Sequence, residues 1–238
     1  INVLHQRMEM DGGLEYIIFD EAHCISQWGQ DFRPDYRNAV LQCNELRKQY
    51  DFMFAMFSAT ITSQVEMDIR SFLPDIQRLG QSAEDYNPIR QHINISFNIV
   101  TNEDKARVSE IAEFVERNNI DFSKSCMIVF CRTHRQCEET ADALNELALS
   151  ATSSSVLAKC ADKIGFYHAG LDADSRNYIY EQFKRVSNGE PLYILCATKA
   201  FGMGMDIPNV HYVVHYNPPS VLEDFLQEVG RAGRDEKM

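Results

Sequence analysis

Short apolar runs alternate with amphipathic stretches along almost the whole chain. The apolar runs have the length of strands buried in a parallel sheet, and the amphipathic stretches repeat their apolar residues with the period of a helix. This alternation predicts an α/β fold, in which helices cover both faces of a parallel sheet. The predicted strands are 14–19, 52–57, 93–99, 126–131, 164–168, 192–197 and 210–216, and the predicted helices are roughly 35–49, 62–73, 104–118, 134–149, 174–187 and 220–230.

Local signals refine this pattern. Pro34 stands where a helix can begin, and Thr62 and Thr101 are suited to cap the starts of two other helices. The run at 93–99 alternates apolar and polar residues, which is typical of an edge strand or a half-exposed strand.

The chain is expected to form two domains. Residues 82–90 show no periodicity and separate two sets of strands and helices, so they are interpreted as an interdomain linker. The predicted domains are 1–85 and 86–238, each a parallel-sheet unit. The small residues at 150–155 are interpreted as a surface loop or flexible insertion without chemistry of its own.

Composition indicates a globular, reduced protein. Hydrophobic residues make up 45% of the 238 positions, and no apolar run approaches the ~20 residues that span a membrane. No charged and then apolar leader opens the sequence, so nothing indicates export. The seven cysteines include no C-x-x-C pair, which argues against a zinc knuckle and against a disulfide framework. A reducing, intracellular compartment is therefore expected.

The charge counts against a global affinity for nucleic acid. The net charge is −12, shared equally between residues 1–90 and residues 91–238, and there is no basic tail. If the protein binds nucleic acid, it does so through a local groove and not through a general positive field.

Two acids, Asp20 and Glu21, follow the first predicted strand directly. Open α/β sheets bind ligands at the carboxyl ends of their strands. Neighbouring side chains of an extended segment point to opposite faces, so the two acids are expected to do different work. One could hold a metal ion while the other positions or deprotonates a water. A solvated turn is the alternative, and it is the more frequent meaning of an isolated Asp-Glu pair.

The second predicted strand ends in Ser58-Ala59-Thr60. It follows the acidic strand by one helix, which predicts that the two hydroxyls lie at the same edge of the sheet as the acids. A helix cap is the alternative interpretation.

A third candidate segment follows strand 192–197. Thr198 comes at the end of this strand, and Gly202 and Gly204 permit close backbone approach or a positive φ. The segment does not fit a dinucleotide-binding fingerprint, because Ile207 occupies the place of the third glycine.

The end of the chain carries a fourth candidate, in which Gln227 is followed by Arg231 and Arg234. On a helix, the spacing of the two arginines would put both guanidinium groups on one face, which suits a polyphosphate. A solvated helix end is the alternative.

The order of these four segments along the chain is more specific than any one of them. It resembles the superfamily 2 helicases, in which ATP binds between two RecA-like domains. Residues 26–36, SQWGQDFRPDY, resemble the aromatic-rich loop that follows D-E-A-H in the RecQ family of 3′-to-5′ DNA helicases. YHAGL at 167–171, AFGMG at 200–204 and GRAGRD at 230–235 are also similar to RecQ sequences. The resemblance covers nearly the whole chain apart from about 147–163, which is longer than usual for the family.

The resemblance implies ATP and Mg²⁺ as cofactors. It assigns Asp20 to the Mg²⁺ that accompanies ATP and Glu21 to the water that attacks the γ-phosphate. His23, Ser58 and Thr60 are expected to link the state of the nucleotide to domain closure. Phosphoryl transfer depends mainly on positioning and charge neutralisation, which these residue types supply.

The same resemblance implies DNA as the partner, both single-stranded and as a 3′-tailed duplex. Trp28, Phe32 and Arg33 are expected to sense single-stranded DNA, with the aromatic rings available for base stacking. Three further residues are expected to contact the DNA backbone: Arg132, Thr133 and Thr198.

Further residues are assigned to ATP. Gln227, Arg231 and Arg234 are expected to reach the nucleotide across the cleft, with Arg234 as the arginine finger. Gly204 and Asp206 complete the expected nucleotide contacts. Many RecQ relatives lack an acid at the position of Asp206, whereas other superfamily 2 helicases use one to contact the ribose.

The 238 residues contain no Walker A loop. Their one G-x-x-x-x-G, from Gly165 to Gly170, continues with Leu171 and Asp172 where Lys and Ser or Thr are required. We therefore expect a fragment: the back part of one motor domain and a second motor domain, without zinc-binding and winged-helix regions.

Two alternatives stay open at this point. The chain could belong to another superfamily 2 motor that acts on RNA or DNA, or it could be a non-catalytic binding module that lost its phosphate loop. A G-x-x-x-x-G-K-[ST] encoded in frame upstream of Ile1 would distinguish truncation from loss.

Overall fold

The computed structural model describes residues 2–10, 13–26, 33–58, 61–77, 79, 94–96, 103–184, 191–201, 207 and 209–233. The chain divides into two units, Ile1–Pro88 and Ile89–Met238. The predicted linker at 82–90 lies outside the described residues.

The first unit is a parallel pair of strands with helices packed on it. Its strands pair in parallel from Tyr16 opposite Met53 to Phe19 opposite Met56. Its core gathers Val40, Val65 and Ile69 from the helices. The elements are α1 (Asn2–Met8), β1 (Tyr16–Phe19), a 3-10 helix (Ala22–Ile25), α2 (Pro34–Leu46), β2 (Met53–Met56) and α3 (Ser63–Phe72).

Strand β1 is parallel as predicted, but the prediction that it is buried on both faces is wrong. Phe19 packs against the core, whereas Tyr16 and Ile18 are 52% and 63% exposed. The reason is the side-chain period of two, which sends alternate residues to opposite faces of the pair, and the described helices cover one of them. An unbroken apolar run therefore does not guarantee burial on both faces.

The cap signals in the sequence have different outcomes. Pro34 is the first residue of α2, and the Thr62 hydroxyl oxygen accepts the Val65 N–H at 3.3 Å at the start of α3. Both predictions are confirmed. The prediction for Thr101, which lies outside the described residues, is wrong, because the residue that precedes the helix is Glu103 and its side chain makes no capping hydrogen bond.

The second unit contains a four-stranded sheet in which every described pairing is parallel, with the strand order β4-β5-β3-β6. Its elements are α4 (Asp104–Arg117), β3 (Cys126–Phe130), α5 (His134–Ser150), a 3-10 helix (Leu157–Cys160), β4 (Ile164–Tyr167), α6 (Ala173–Lys184), β5 (Ile194–Ala197), β6 (Val210–His215) and α7 (Leu222–Val229).

Both faces of this sheet are covered. On one face Met127 and Val129 pack with residues of α4 and α5, and on the other Ile128 packs with Phe183 of α6. All five residues of β3 are buried for this reason. The α/β fold predicted from the alternating pattern is confirmed.

Two details depart from the sequence prediction. Asn94, Ile95 and Ser96 are the described part of the predicted strand 93–99, and they are not in a strand. Helix α1 was not predicted.

The seven cysteines are all buried and none forms a disulfide, in agreement with the prediction of reduced core thiols.

The segment after α5 is anchored to α4. The Glu116 carboxylate accepts the hydroxyl of Ser155 and the backbone N–H groups of Val156 (3.2 Å) and Leu157 (2.8 Å). These bonds satisfy the free donors at the start of the second 3-10 helix. The interpretation of 150–155 as a surface loop agrees with the structure, in which 151–155 form no helix or strand and 152–154 are exposed, and Ser155 anchors the end of this loop.

Candidate functional site

The acidic pair lies at the carboxyl end of β1, as predicted. Both side chains are exposed, and the Glu21 N–H donates to Asp20 Oδ1 at 2.9 Å. Glu21 does not continue the strand: its backbone is left-handed, with φ 54° and ψ 48°. The expectation of two extended residues with opposite side chains is therefore wrong at Glu21. A left-handed residue other than glycine is strained, and such residues gather at functional sites.

His23 connects the two predicted motifs of the first unit. Its ring is buried, and its Nδ1 lies 2.9 Å from Ser58 Oγ and 3.3 Å from Glu21 Oε2. The strands place these groups together, because the Ala22 N–H donates to the Phe57 carbonyl at 2.8 Å. The structure thus brings Glu21, His23 and Ser58 into one contact network.

Tyr36 of α2 contacts the segment that carries the two acids, and no sequence pattern indicated this residue. Its hydroxyl donates to the backbone carbonyl of Asp20. Burial is the main reason that the pKa of Tyr36 is raised, and the neighbouring Cys24, Asp20 and Glu21 raise it further. Tyr36 therefore stays a neutral donor. Its place beside the acids depends on tertiary packing, which a sequence pattern does not report.

The residues present fit a magnesium ion that arrives with a nucleotide. Mg²⁺ is usually held by one or two carboxylates together with phosphate oxygens and waters. The exposed Asp20 carboxylate at the end of a strand is a ligand of this type. Within the described part of the chain, no group of three His, Cys, Asp or Glu side chains is arranged to hold a metal ion without other ligands.

In the second unit, Arg132 and Thr133 lie between the end of β3 and the start of α5, and both are exposed. The Thr133 hydroxyl oxygen accepts the Gln136 N–H at 3.1 Å and so caps the helix. The Arg132 guanidinium donates to the Pro218 carbonyl at 3.4 Å. This weak bond leaves further guanidinium donors available for a phosphate.

A polar network not predicted from the sequence holds this edge. Gln136 Oε1 accepts the Arg132 N–H at 3.0 Å and the Asn217 side-chain amide at 2.9 Å. The Arg107 guanidinium donates to Asn217 Oδ1 at 2.8 Å. The network connects α4, α5 and the segment after β6, and it fixes the backbone that carries Arg132.

Thr198 is placed differently from Arg132. It follows β5 in register with His168 after β4, because the Thr198 N–H donates to the Tyr167 carbonyl at 3.2 Å. It is buried, with 7% of its surface exposed. A DNA contact through its hydroxyl stays a prediction.

The helical spacing argument for the two arginines is wrong. Helix α7 ends at Val229, so Arg231 lies in the turn after the helix and not on its face. The hydrogen-bond pattern of the helix stops here: the Gly230 N–H still donates to the Leu226 carbonyl at 2.9 Å, whereas the Arg231 N–H donates to the Glu228 carbonyl, three residues back, at 3.2 Å. Gln227 is on the helix and partly exposed.

A buried pair fixes α7 on the sheet. His215 Nε2 lies 2.8 Å from Glu228 Oε2, and both side chains are largely buried. The His215 ring also stacks on Phe130 and packs against Phe225. The pair thus fixes the helix that carries Gln227, the residue that the resemblance assigned to ATP.

Of the remaining predicted site residues, the structure describes Arg33. Arg33 precedes α2 and is exposed, and its N–H donates to the Cys24 carbonyl at 3.0 Å. Six predicted residues lie outside the described part of the chain: Trp28, Phe32, Thr60, Gly204, Asp206 and Arg234.

Family models match both units. The helicase conserved C-terminal domain matches residues 106–236, which is more than half of the chain, and the DEAD/DEAH box helicase domain matches residues 3–68. The chain therefore belongs to the helicase family that is defined by this C-terminal domain. Its curated relatives are of the RecQ type, so the resemblance found in the sequence is confirmed.

Three relatives illustrate the similarity. The chain is 33% identical to the ATP-dependent helicase SGS1 of Saccharomyces cerevisiae over 96% of its own length and 14% of that protein. It is 36% identical to the ATP-dependent DNA helicase RecQ of Bacillus subtilis over 92% of its length and 32% of that protein. The probable ATP-dependent DNA helicase RecS of the same organism is 32% identical, over 94% of this chain and 40% of RecS. The chain thus spans less than half of each of these relatives.

Solved structures share the fold. Dbp5 of S. cerevisiae, bound to RNA and ADP BeF3, has a TM-score of 0.63 at 16% identity, covering 98% of this chain and 54% of that one. The DUF1998 helicase MrfA bound to DNA has a TM-score of 0.62 at 22% identity, covering 93% and 30%. These similarities support the RecA-like fold alone.

None of the described helices combines the length and the apolar character that a membrane span requires.

Proposed function

We propose that the chain is the motor core of an ATP-dependent 3′-to-5′ DNA helicase of RecQ type, which couples ATP hydrolysis to DNA unwinding in repair and recombination. The observation that carries this proposal is the network at the end of β1, where His23 contacts both Glu21 and Ser58. The Glu21 carboxylate, which we propose meets the nucleotide, is thereby connected to Ser58 of the Ser58-Ala59-Thr60 motif. The relatives named as ATP-dependent DNA helicases support the same activity.

In this proposal the two acids act on different parts of the reaction. Asp20 holds the Mg²⁺ that neutralises charge on the phosphates of ATP. The Glu21 carboxylate, 58% exposed, orients the attacking water and accepts its proton. The left-handed backbone at Glu21 ends the extended segment between the two acids. His23 passes a change at Glu21 to Ser58 and, we propose, to Thr60.

The nucleotide contacts of the second unit complete the proposal. Arg231 and Arg234 stabilise negative charge on the transferring phosphoryl group, with Arg234 as the arginine finger. Gln227, Gly204 and Asp206 contribute further contacts to ATP. The buried pair of His215 and Glu228 supports the placement of Gln227.

The proposed DNA contacts are of two kinds. Arg132 and Thr133 contact phosphates, together with Thr198, whereas Trp28 and Phe32 stack on bases and Arg33 contacts DNA beside them. Single-stranded DNA and the 3′-tailed duplex are the proposed substrates.

The test is nucleic-acid binding by the 238-residue chain, followed by fluorescence anisotropy over a series of salt concentrations. We expect single-stranded DNA to bind more tightly than RNA of the same sequence. Arg132→Ala is expected to reduce the slope of log K against log salt by about one, since one phosphate contact is lost. Arg135→Ala is the matched control, because Arg135 is exposed nearby and already paired with Glu139 at 2.7 Å.

The outcomes separate the alternatives. Tighter binding of RNA would support a superfamily 2 motor of another type. Absence of binding to both nucleic acids would contradict the helicase proposal and favour a different kind of binding module.

A further inference from the structure

Three aromatic rings form a column beside the proposed DNA-backbone residues. Phe166 of β4 stacks on His168 with ring centroids 5.7 Å apart and planes 10° apart. His168 stacks on His134 with centroids 4.3 Å apart and planes 11° apart. The three rings are thus nearly parallel, and the column runs from the sheet to the first residue of α5.

The column is buried at its middle ring and exposed at His134. The His168 side chain is 5% exposed, whereas His134 belongs to the exposed residues. One face of the His134 ring is covered by His168. A base that stacks on His134 would therefore use the opposite face of the ring.

The middle ring is held in one orientation. His168 Nε2 lies 2.9 Å from Glu138 Oε1. Glu138 follows His134 by one turn of α5. Because a carboxylate can only accept, Nε2 carries the proton. Among the described residues, His168 Nδ1 is a buried atom without a hydrogen-bond partner. A buried orphan of this kind costs stability, so it is retained where the ring has a task.

Gly170 makes the contact between the two histidines possible. A Cβ at this position would lie 2.9 Å from His134 Nδ1 and 3.2 Å from His168 Nδ1. Any other residue would push at least one ring aside. This steric requirement explains the glycine of the YHAGL segment, to which the proposed motor function assigns no role.

The exposed ring stands at the edge where DNA is proposed to pass. His134 directly follows Arg132 and Thr133, and His168 and Thr198 follow neighbouring strands in register. Stacking of bases on aromatic rings is the general means by which proteins hold single strands without reading their sequence. A ring that is already fixed loses little freedom when a base stacks on it.

We propose that His134 is a base-stacking contact for single-stranded DNA, and that His168, Glu138 and Gly170 are positioning residues that hold its ring. The proposal rests on the proposed helicase function and adds to it a specific base contact in the second unit.

The test uses the 238-residue chain and a single-stranded DNA that contains 2-aminopurine, whose fluorescence reports stacking. His134→Ala is expected to weaken binding about tenfold and to reduce the fluorescence change, in line with the usual effect of removing one stacking ring. His134→Phe keeps a flat ring and should bind within about twofold of the wild type. His134→Lys supplies a cation without a flat ring, so its loss of affinity should equal that of the alanine variant.

Two glycine variants test the positioning part. Gly170→Ala should weaken binding as much as His134→Ala, and the double variant should lose no more than either single one. Gly165→Ala, on the strand that precedes Gly170, is the control. Its Cβ would meet only the flexible end of Leu192, so unchanged binding is expected. Melting temperatures of all variants show whether the fold is intact.

Each result decides the question. An oligonucleotide with abasic sites should bind wild type and His134→Ala equally, because no base is left to stack. Wild-type affinity of His134→Ala, or full binding by His134→Lys together with a loss in His134→Phe, would overturn the stacking proposal and leave the helicase proposal in place. Failure of the wild-type chain to bind single-stranded DNA would overturn both.

Discussion

At the scale of single residues, the contact between His23 and Ser58 is the most informative feature of the first unit. A histidine buried to this degree needs a partner for its ring nitrogens. Ser58 supplies one at 2.9 Å, and Glu21 supplies a longer contact at 3.3 Å. These contacts stabilise the unit, and in the proposed mechanism they also transmit a change at Glu21.

Ser58→Ala should lower the free energy of unfolding by about 1 kcal/mol, the usual net value of a hydrogen bond whose buried partner is left behind. Urea denaturation of the 238-residue chain at pH 7 measures the change. Ser63→Ala is the control, since Ser63 is an exposed serine on α3, and it should change stability by less than about 0.5 kcal/mol. Equal stability of wild type and Ser58→Ala would show that the contact with His23 contributes nothing.

At the scale of elements, the segment between α5 and β4 depends on one carboxylate. The hydrogen bond from Ser155 is the main reason that the pKa of Glu116 is lowered, and the N–H groups of Leu157 and Val156 lower it further. A lowered folded-state pKa means that the ionised carboxylate stabilises the fold. This contribution is complete above the ordinary pKa, 4.5, and is lost as the pH falls through the lowered value.

Glu116→Gln should therefore reduce the melting temperature at pH 7, because the charged acceptor is lost. The difference from wild type should shrink as the pH falls from about 4.5 toward and through the lowered folded-state pKa, where the wild-type carboxyl is protonated as well. Thermal melts over a pH series measure both effects. Glu113→Gln, an exposed glutamate three residues earlier on α4, is the control and should show no such trend. A difference that is constant with pH would contradict this account.

Element positions follow from local pattern more reliably than burial and contacts do. Pro34 and Thr62 mark helix starts through their own backbone and side-chain chemistry, so both were predictable. The helical hydrogen bonding of α7 ends at Gly230, which places Arg231 in the turn beyond the helix. The hydrogen bond from Tyr36 to the Asp20 carbonyl and the stacking of His134 on His168 join elements that are separate in the sequence. A single sequence carries no signal for such contacts.

At the scale of the whole molecule, the chain contains acids suited to ATP hydrolysis but no phosphate-binding loop in its 238 residues. Backbone N–H groups and a lysine of such a loop supply much of the grip on a nucleotide. We expect the isolated chain to show no DNA-stimulated ATP turnover above background in a steady-state phosphate-release assay.

The matching positive experiment uses a longer protein that contains this chain together with a Walker A loop. There Glu21→Gln should nearly abolish turnover and leave ATP binding largely intact, because the amide keeps the shape but cannot accept a proton. Glu15→Gln, an exposed glutamate before β1, is the control and should hydrolyse ATP normally. Turnover by the isolated chain, or a Glu21→Gln variant that hydrolyses ATP at the wild-type rate, would contradict the role of this site.

The amino-acid sequence by itself determined the α/β class, most of the strands and helices, and the helicase family, because periodicity and motif order can be read along the chain without the fold. Only the tertiary structure decided which faces of β1 are exposed, that Glu21 has a left-handed backbone, and that Arg231 lies beyond its helix. It also decided that His134 stacks on His168. These features depend on how segments that are distant in sequence pack together. In a close-packed interior, atoms from far along the chain set the space beside each residue.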